Sequence, residues 1–99
     1  MGLRHIALFR FAEGTTPEQV AEIDAALARL PDEIPELRAY VFGADLALAP
    51  TTWDYGVVAD VADADAYAVY RDHPAHRRVV DEVVAPVITE RASVQIPLP

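Results

Sequence analysis

The sequence predicts an α+β fold of the ferredoxin-like, split βαβ type: a four-stranded antiparallel sheet with its helices on one face. Two observations predict it. Four stretches alternate large apolar and small or polar residues with a period of two, and two longer stretches repeat apolar residues at helical spacing. Their order along the chain is strand, helix, strand, strand, helix, strand. With 99 residues there is room for one core, so residues 1–99 are read as a single domain.

Leu3 to Phe11 is the first strand, with Leu3, His5, Ala7, Phe9 and Phe11 on one face and Arg4, Ile6, Leu8 and Arg10 on the other. Ala12 to Thr15 turns the chain. Thr16-Pro17-Glu18-Gln19 then opens a helix: a threonine cap, a proline at the first position and a glutamine placed for a capping box. Val20, Ile23, Leu27 and Leu30 form its apolar stripe, and Pro31 is expected to end it near Arg29. Leu37 to Phe42, closed by Gly43, is the second strand, with large residues on both faces, and Ala44 to Thr52 is a loop. The third strand, Trp53 to Val61, sets Trp53, Tyr55, Val57, Ala59 and Val61 against Asp54, Gly56, Val58 and Asp60, with Trp53 and Tyr55 read as core. Asp63 caps a second helical region that breaks at Pro74, runs on to about Val84 and closes at Pro86. The fourth strand, about Glu90 to Ile96, carries Ala92, Val94 and Ile96 on one face, and Pro97 and Pro99 stop it.

A sheet with helices on one face must have its other face covered. To that second face the sequence assigns Ile6, Leu8, Tyr40, Phe42 and Val58, too much apolar surface to leave in water. A second copy of the chain, and so a homodimer, is expected to cover it.

Composition narrows the function. A hydrophobic fraction of 53% and a mean hydropathy of +0.13 fit a packed fold. The net charge of -8, with every cation a scattered arginine, argues against nucleic acid as a partner, because phosphate binding needs a basic patch. There is no cysteine, hence no disulfide or thiolate chemistry. No run is long and apolar enough for a membrane span and no signal-type core follows Met1, so a cytoplasmic protein is expected.

The candidate chemistry lies in Tyr70-Arg71-Asp72-His73-Pro74-Ala75-His76. Pro74 suits the first position of a new helical segment, and His76 then shares an inward stripe with Val79, Val80 and Val83. In one continuous α-helix Tyr70 and His76 would stand roughly 120° apart about the axis. A 3₁₀ turn at the proline would instead let Tyr70, His73 and His76 line one pocket wall. His76 is either a reactive base or a core-edge group bonded to a carbonyl, His73 either a pocket residue or a cap for the helix entry, and His5 either a pocket residue or a satisfied structural group. His73 and His76 with His5 permit a metal site, but no carboxylate or thiolate completes the set, so neither metal nor cofactor is expected. Asp60, Asp63 and Asp65 read as caps and solvated groups.

These residues together resemble a known family, the Dabb or stress-responsive dimeric α/β-barrel domains. The resemblance spans nearly the whole chain: Arg4-His5-Ile6, Leu30-Pro31-Asp32-Glu33-Ile34-Pro35 with Gly43 and Asp45, Trp53-Asp54-Tyr55, and above all the run from Tyr70 to His76. It implies a homodimer in which two sheets form a barrel with the helices outside. A plant polyketide cyclase of this family closes a linear thioester by aldol condensation. The resemblance carries its catalytic pair onto His76, as general base, and Tyr70, as oxyanion donor, with His5 in the same pocket. An ungapped reading puts Val94 where that enzyme has an acidic residue orienting the histidine, and puts Arg71 and Asp72 where it has apolar residues. Two functions therefore stand side by side. One is a cofactorless cyclase-like enzyme acting on an apolar carbonyl or polyketide ligand, its pocket walled by Ala7, Phe9, Val57, Ala59, Tyr67 and His73. The other is a non-catalytic stress-responsive dimer or small-ligand binder. An open cavity reaching His76 favours the first, a closed core the second.

Overall fold

The computed structural model describes residues 2–99 and runs β1 (Leu3–Phe11), α1 (Pro17–Ala28), a single-turn α2 (Leu30–Glu33), β2 (Ala39–Ala44), β3 (Tyr55–Val61), α3 (Ala64–Asp72), α4 (Pro74–Arg78) and β4 (Ile88–Pro97). Between α4 and β4 the helix widens into a π turn (Val79–Val84) and tightens into a 3₁₀ turn (Ala85–Val87). The strands form one antiparallel sheet in the order β2-β3-β1-β4, the ferredoxin-like arrangement expected from the element order.

Local sequence accounts for most boundaries. The Thr16 hydroxyl accepts from the Gln19 amide (3.2 Å) while the Gln19 side chain accepts from the Thr16 amide (2.8 Å), so the capping box closes both ways. Pro31 does not end the helical stretch. It falls in the first turn of α2, where a missing N–H costs no hydrogen bond, and the short turn sinks Leu30 and Ile34 completely into the core. The Asp63 carboxylate accepts from the Ala66 amide (2.8 Å) and starts α3. Gly43 lies inside β2, paired with Gly56, and Pro97 ends β4 opposite Leu3. Proline is tolerated there because β4 is an edge strand.

Register decides which side chains meet. Directly paired residues of an antiparallel sheet share a face, so Tyr40, opposite Ala59, and Phe42, opposite Val57, join His5, Ala7 and Phe9 under the helices. This corrects their expected place on the uncovered face. That face instead carries a row running Val41, Val58, Ile6 and Val94 across all four strands, flanked by Leu8 and Ile96. Beside the row Arg4 grips the Asp60 carboxylate with two hydrogen bonds (2.8 and 2.9 Å). Trp53 also departs from expectation: it precedes β3 and is only half-buried, with the Arg10 guanidinium 4.1 Å from its ring centre. The core lies between helices and sheet, around Phe9, Ile23, Leu27, Leu30, Tyr55 and Val57. No helix among the described residues is long and apolar enough to cross a membrane.

Candidate functional site

The site begins with a break in the backbone. His73 both ends α3 and starts α4, in an extended conformation (φ -59°, ψ 134°) that the following proline favours. Its ring Nδ1 accepts from the Ala75 amide (3.1 Å), the group that would have bonded the Arg71 carbonyl in an unbroken helix. That carbonyl is left to His76, whose Nδ1 donates to it (3.0 Å). A carbonyl only accepts, so the His76 proton is fixed on Nδ1 and Nε2 keeps its lone pair. The single extended residue also rotates α4 until the Tyr70 and His76 rings lie 4.2 Å apart, inclined by 34°. Neither a continuous helix nor a 3₁₀ turn makes this arrangement.

Tyr70 is buried, and its hydroxyl is bonded to that of Tyr40 (3.0 Å). Two hydroxyls carry two protons, and the bond between them uses one; the pair retains one proton to donate. Burial pushes the Tyr70 phenol up to about 12, opposed by the hydrogen bond with Tyr40 and assisted by Tyr67. Burial likewise raises Tyr40 above the ordinary phenol range. On the sheet side His5, a buried histidine in an otherwise apolar row, stands 5.1 Å from the Tyr67 ring and 6.2 Å from the Tyr70 ring. The Gln95 amide donates to its Nδ1 (2.8 Å), which puts the His5 proton on Nε2. Both imidazoles are held below their ordinary value: His5 by burial and then by His76, and His76 by burial, partly offset by the Arg71 carbonyl.

These groups face an open cavity of about 400 Å³ between helices and sheet, a volume suited to a small ligand. His5, Ala7, Phe9, Val57, Tyr67, Tyr70 and His76, all expected from the sequence, line it. Ala59 does not; it is fully buried in the floor of the core. His73 does not either, because its ring is committed to the helix entry. Nor do the three histidines form a metal set: no cluster of three metal-ligating side chains occurs among the described residues. Val94 is opposite Ile6 on the far face of the sheet and cannot orient His76; the Arg71 carbonyl does so instead. Sequence reading missed Tyr40, Arg71, Arg77, Arg91 and Ser93, which also line the cavity. For the last two the signal was parity, since Arg91 and Ser93 share the face of Gln95 and lie opposite Phe9 and Ala7.

A sequence model of the stress responsive A/B barrel domain, Dabb, matches residues 3–97. A dimeric ferredoxin-like protein of Thermobifida fusca is 48% identical and superposes with a TM-score of 0.92 over 99% of this chain and 92% of its own. An uncharacterised protein of Streptomyces coelicolor is 32% identical over 78 residues, 76% of this chain and 79% of that one. A hydroxynitrile lyase from Passiflora edulis shares the fold (TM-score 0.85, 99% of this chain and 94% of that one) at 16% identity, a likeness of fold alone. From strand order, the run around His73 and the match over almost its whole length, the chain belongs to the Dabb family of stress responsive A/B barrel domains.

Proposed function

We propose that the protein is a cofactorless, cyclase-like enzyme that moves a proton on an apolar carbonyl substrate, with His76 as base and Tyr70 as oxyanion donor. The observation that carries this reading is the His76 ring beside Tyr70 in an open cavity, its Nδ1 committed to the Arg71 carbonyl and its Nε2 left basic. In the proposed step His76 Nε2 takes a proton from a carbon between two carbonyls, and the Tyr70–Tyr40 pair donates a hydrogen bond to the enolate oxygen. The enolate carbon then attacks a second carbonyl of the same molecule, and the imidazolium returns its proton to the new alkoxide. A positioned base is worth about 10²–10⁴-fold in rate and an oxyanion donor about 10²–10³-fold.

The proposal places the chain in the cytoplasm as a homodimer. Val41, Val94 and Ile96 on the uncovered sheet face, together with Leu46 and Leu48 on the neighbouring loop, are exposed in the single chain. The Thermobifida fusca relative is itself dimeric. For activity the test is a panel of polyketide-type thioesters. His76→Ala and Tyr70→Phe should each abolish cyclisation while circular dichroism shows an unchanged fold. A wild-type protein inert towards the whole panel would overturn the enzyme reading and leave the dimeric ligand binder.

A further inference from the structure

The charges around the cavity run against those of the chain. The sequence holds 16 carboxylates and 8 arginines, yet Arg71, Arg77 and Arg91 line this cavity and no carboxylate among the described residues does. All three arginines are exposed, whereas Tyr70 and His5 are buried, so the cations form the rim and the polar hydroxyl pair the floor. Two of the three are already compensated: Arg71 by Asp72 (2.9 Å) and Arg77 by Asp81 (3.0 Å). The Arg91 guanidinium has no ion-pair or hydrogen-bond partner among the described residues, and neither has the hydroxyl of Ser93, which follows it on the same face of β4. Between rim and floor the walls are apolar, with Phe9, Leu27, Val57, Val80 and Val84.

We infer that the cavity takes a ligand with an apolar, carbonyl-bearing body and one acidic oxyanion, carboxylate or phosphate, which Arg91 holds at the rim with Ser93 as a second donor. A planar guanidinium without an internal partner matches such a group with two parallel hydrogen bonds. Anchoring that end leaves the body to reach the Tyr70–Tyr40 hydroxyls. The inference rests on the cavity being the substrate site, and it names the class of substrate. It does not depend on turnover.

Calorimetric titration tests it directly. The probes are 4-oxo-4-phenylbutanoate and its neutral methyl ester, followed by butyryl coenzyme A and butyryl pantetheine. Wild type should bind the acid about tenfold or more tightly than the ester, the worth of one charge-assisted contact. Arg91→Gln should erase that preference while leaving the ester's affinity unchanged, and His76→Ala should leave the preference intact. A loss on Arg91→Gln that is larger for the coenzyme A thioester than for the phosphate-free pantetheine thioester assigns the oxyanion to a carrier phosphate; a loss confined to the free acid assigns it to a substrate carboxylate. Equal binding of acid and ester together with equal binding of the two thioesters by wild type overturns the inference, as does a preference that survives Arg91→Gln for both anion types. Anion-selective binding without turnover of any thioester would sink the cyclase reading and leave this one standing.

Discussion

Replacing Tyr40 by phenylalanine takes away the one protein partner of the Tyr70 hydroxyl among the described residues. Tyr70 is 2% exposed, and a buried donor left unpaired costs about 1–3 kcal/mol. Both tyrosines also line the open cavity, where water can occupy part of the vacated position, so the low end, about 1 kcal/mol, applies to each single variant. For a chain of 99 residues that corresponds to a fall in Tm of about 4–8 °C. The double change Tyr40→Phe with Tyr70→Phe orphans nothing. It should cost about 1 kcal/mol as well, rather than the 2 that simple addition gives, a coupling of about 1 kcal/mol. Urea unfolding of the four proteins measures this from the shift in midpoint at constant slope. A spectroscopic reading accompanies it: since the Tyr40 hydrogen bond opposes the rise caused by burial, Tyr40→Phe should move Tyr70 ionisation above its value of about 12, seen as delayed tyrosinate absorbance in alkali. Additive free energies, or an unmoved Tyr70 titration, would refute the paired-hydroxyl account.

The histidines give a second expectation. Burial holds His5 and His76 below the free value of 6.5, so the folded state binds fewer protons than the unfolded chain beneath that pH; their contribution to stability is whole above about 6.5 and is lost as pH falls through the folded values. Imidazole NMR titrations with midpoints at or above 6.5 would contradict it, and any His76-dependent rate should lose activity over the same acid range. On the uncovered sheet face, Leu8→Asp and Val94→Asp should each split the proposed dimer by burying an unpaired charge, while the imidazole titration of the folded Val94→Asp chain stays as in wild type. Light scattering at micromolar concentration reads the first effect, and a wild type of single-chain mass would remove its basis. Dialysis against a chelator should leave the melting temperature unchanged; a loss of several degrees would point to a bound metal.

Where one residue decides a local event, the sequence was legible. Thr16, Asp63 and Pro74 announce three helix starts by chemistry acting within three residues, and all three occur as read. β1 alternates so cleanly that its bounds and its inward row were also readable. β2 was not, because Tyr40, Val41 and Phe42 are all large and only the pairing with β3 tells which face the tyrosine takes. The same holds for Val94: parity along β4 groups it with Ala92 and Ile96, but only the pairing with Ile6 turns Val94 itself away from the site. The meeting of Tyr70 and His76 needed one torsion angle, ψ at His73, which selects a rotation between two helices. Spacing rules assume regular winding and do not contain it. The orienting partner of His76 was hidden for a related reason, since it is a main-chain carbonyl freed by the break and has no side-chain signature.

The seam between β1 and β4 has a consequence for the order in which the protein is made. Leu3 pairs with Pro97, and Leu98 donates to the Gly2 carbonyl, so one edge of the first strand is closed by residues that leave a ribosome long after it. Until Ile88–Pro97 emerges, β1 can pair with β3 alone, and its other edge, carrying Ile6 and Leu8 on one side and His5 on the other, stays open. The nascent chain then lacks Gln95 for His5 and Arg91 for the cavity rim. Sheet closure and completion of the site are thus a single late event of high sequence separation, the kind that folds slowly and leaves a strand edge exposed to neighbours on the same polysome. A second chain translated nearby is a hazard at that edge, and in the proposed homodimer it is also what covers the outer row of Val41, Val58, Ile6 and Val94.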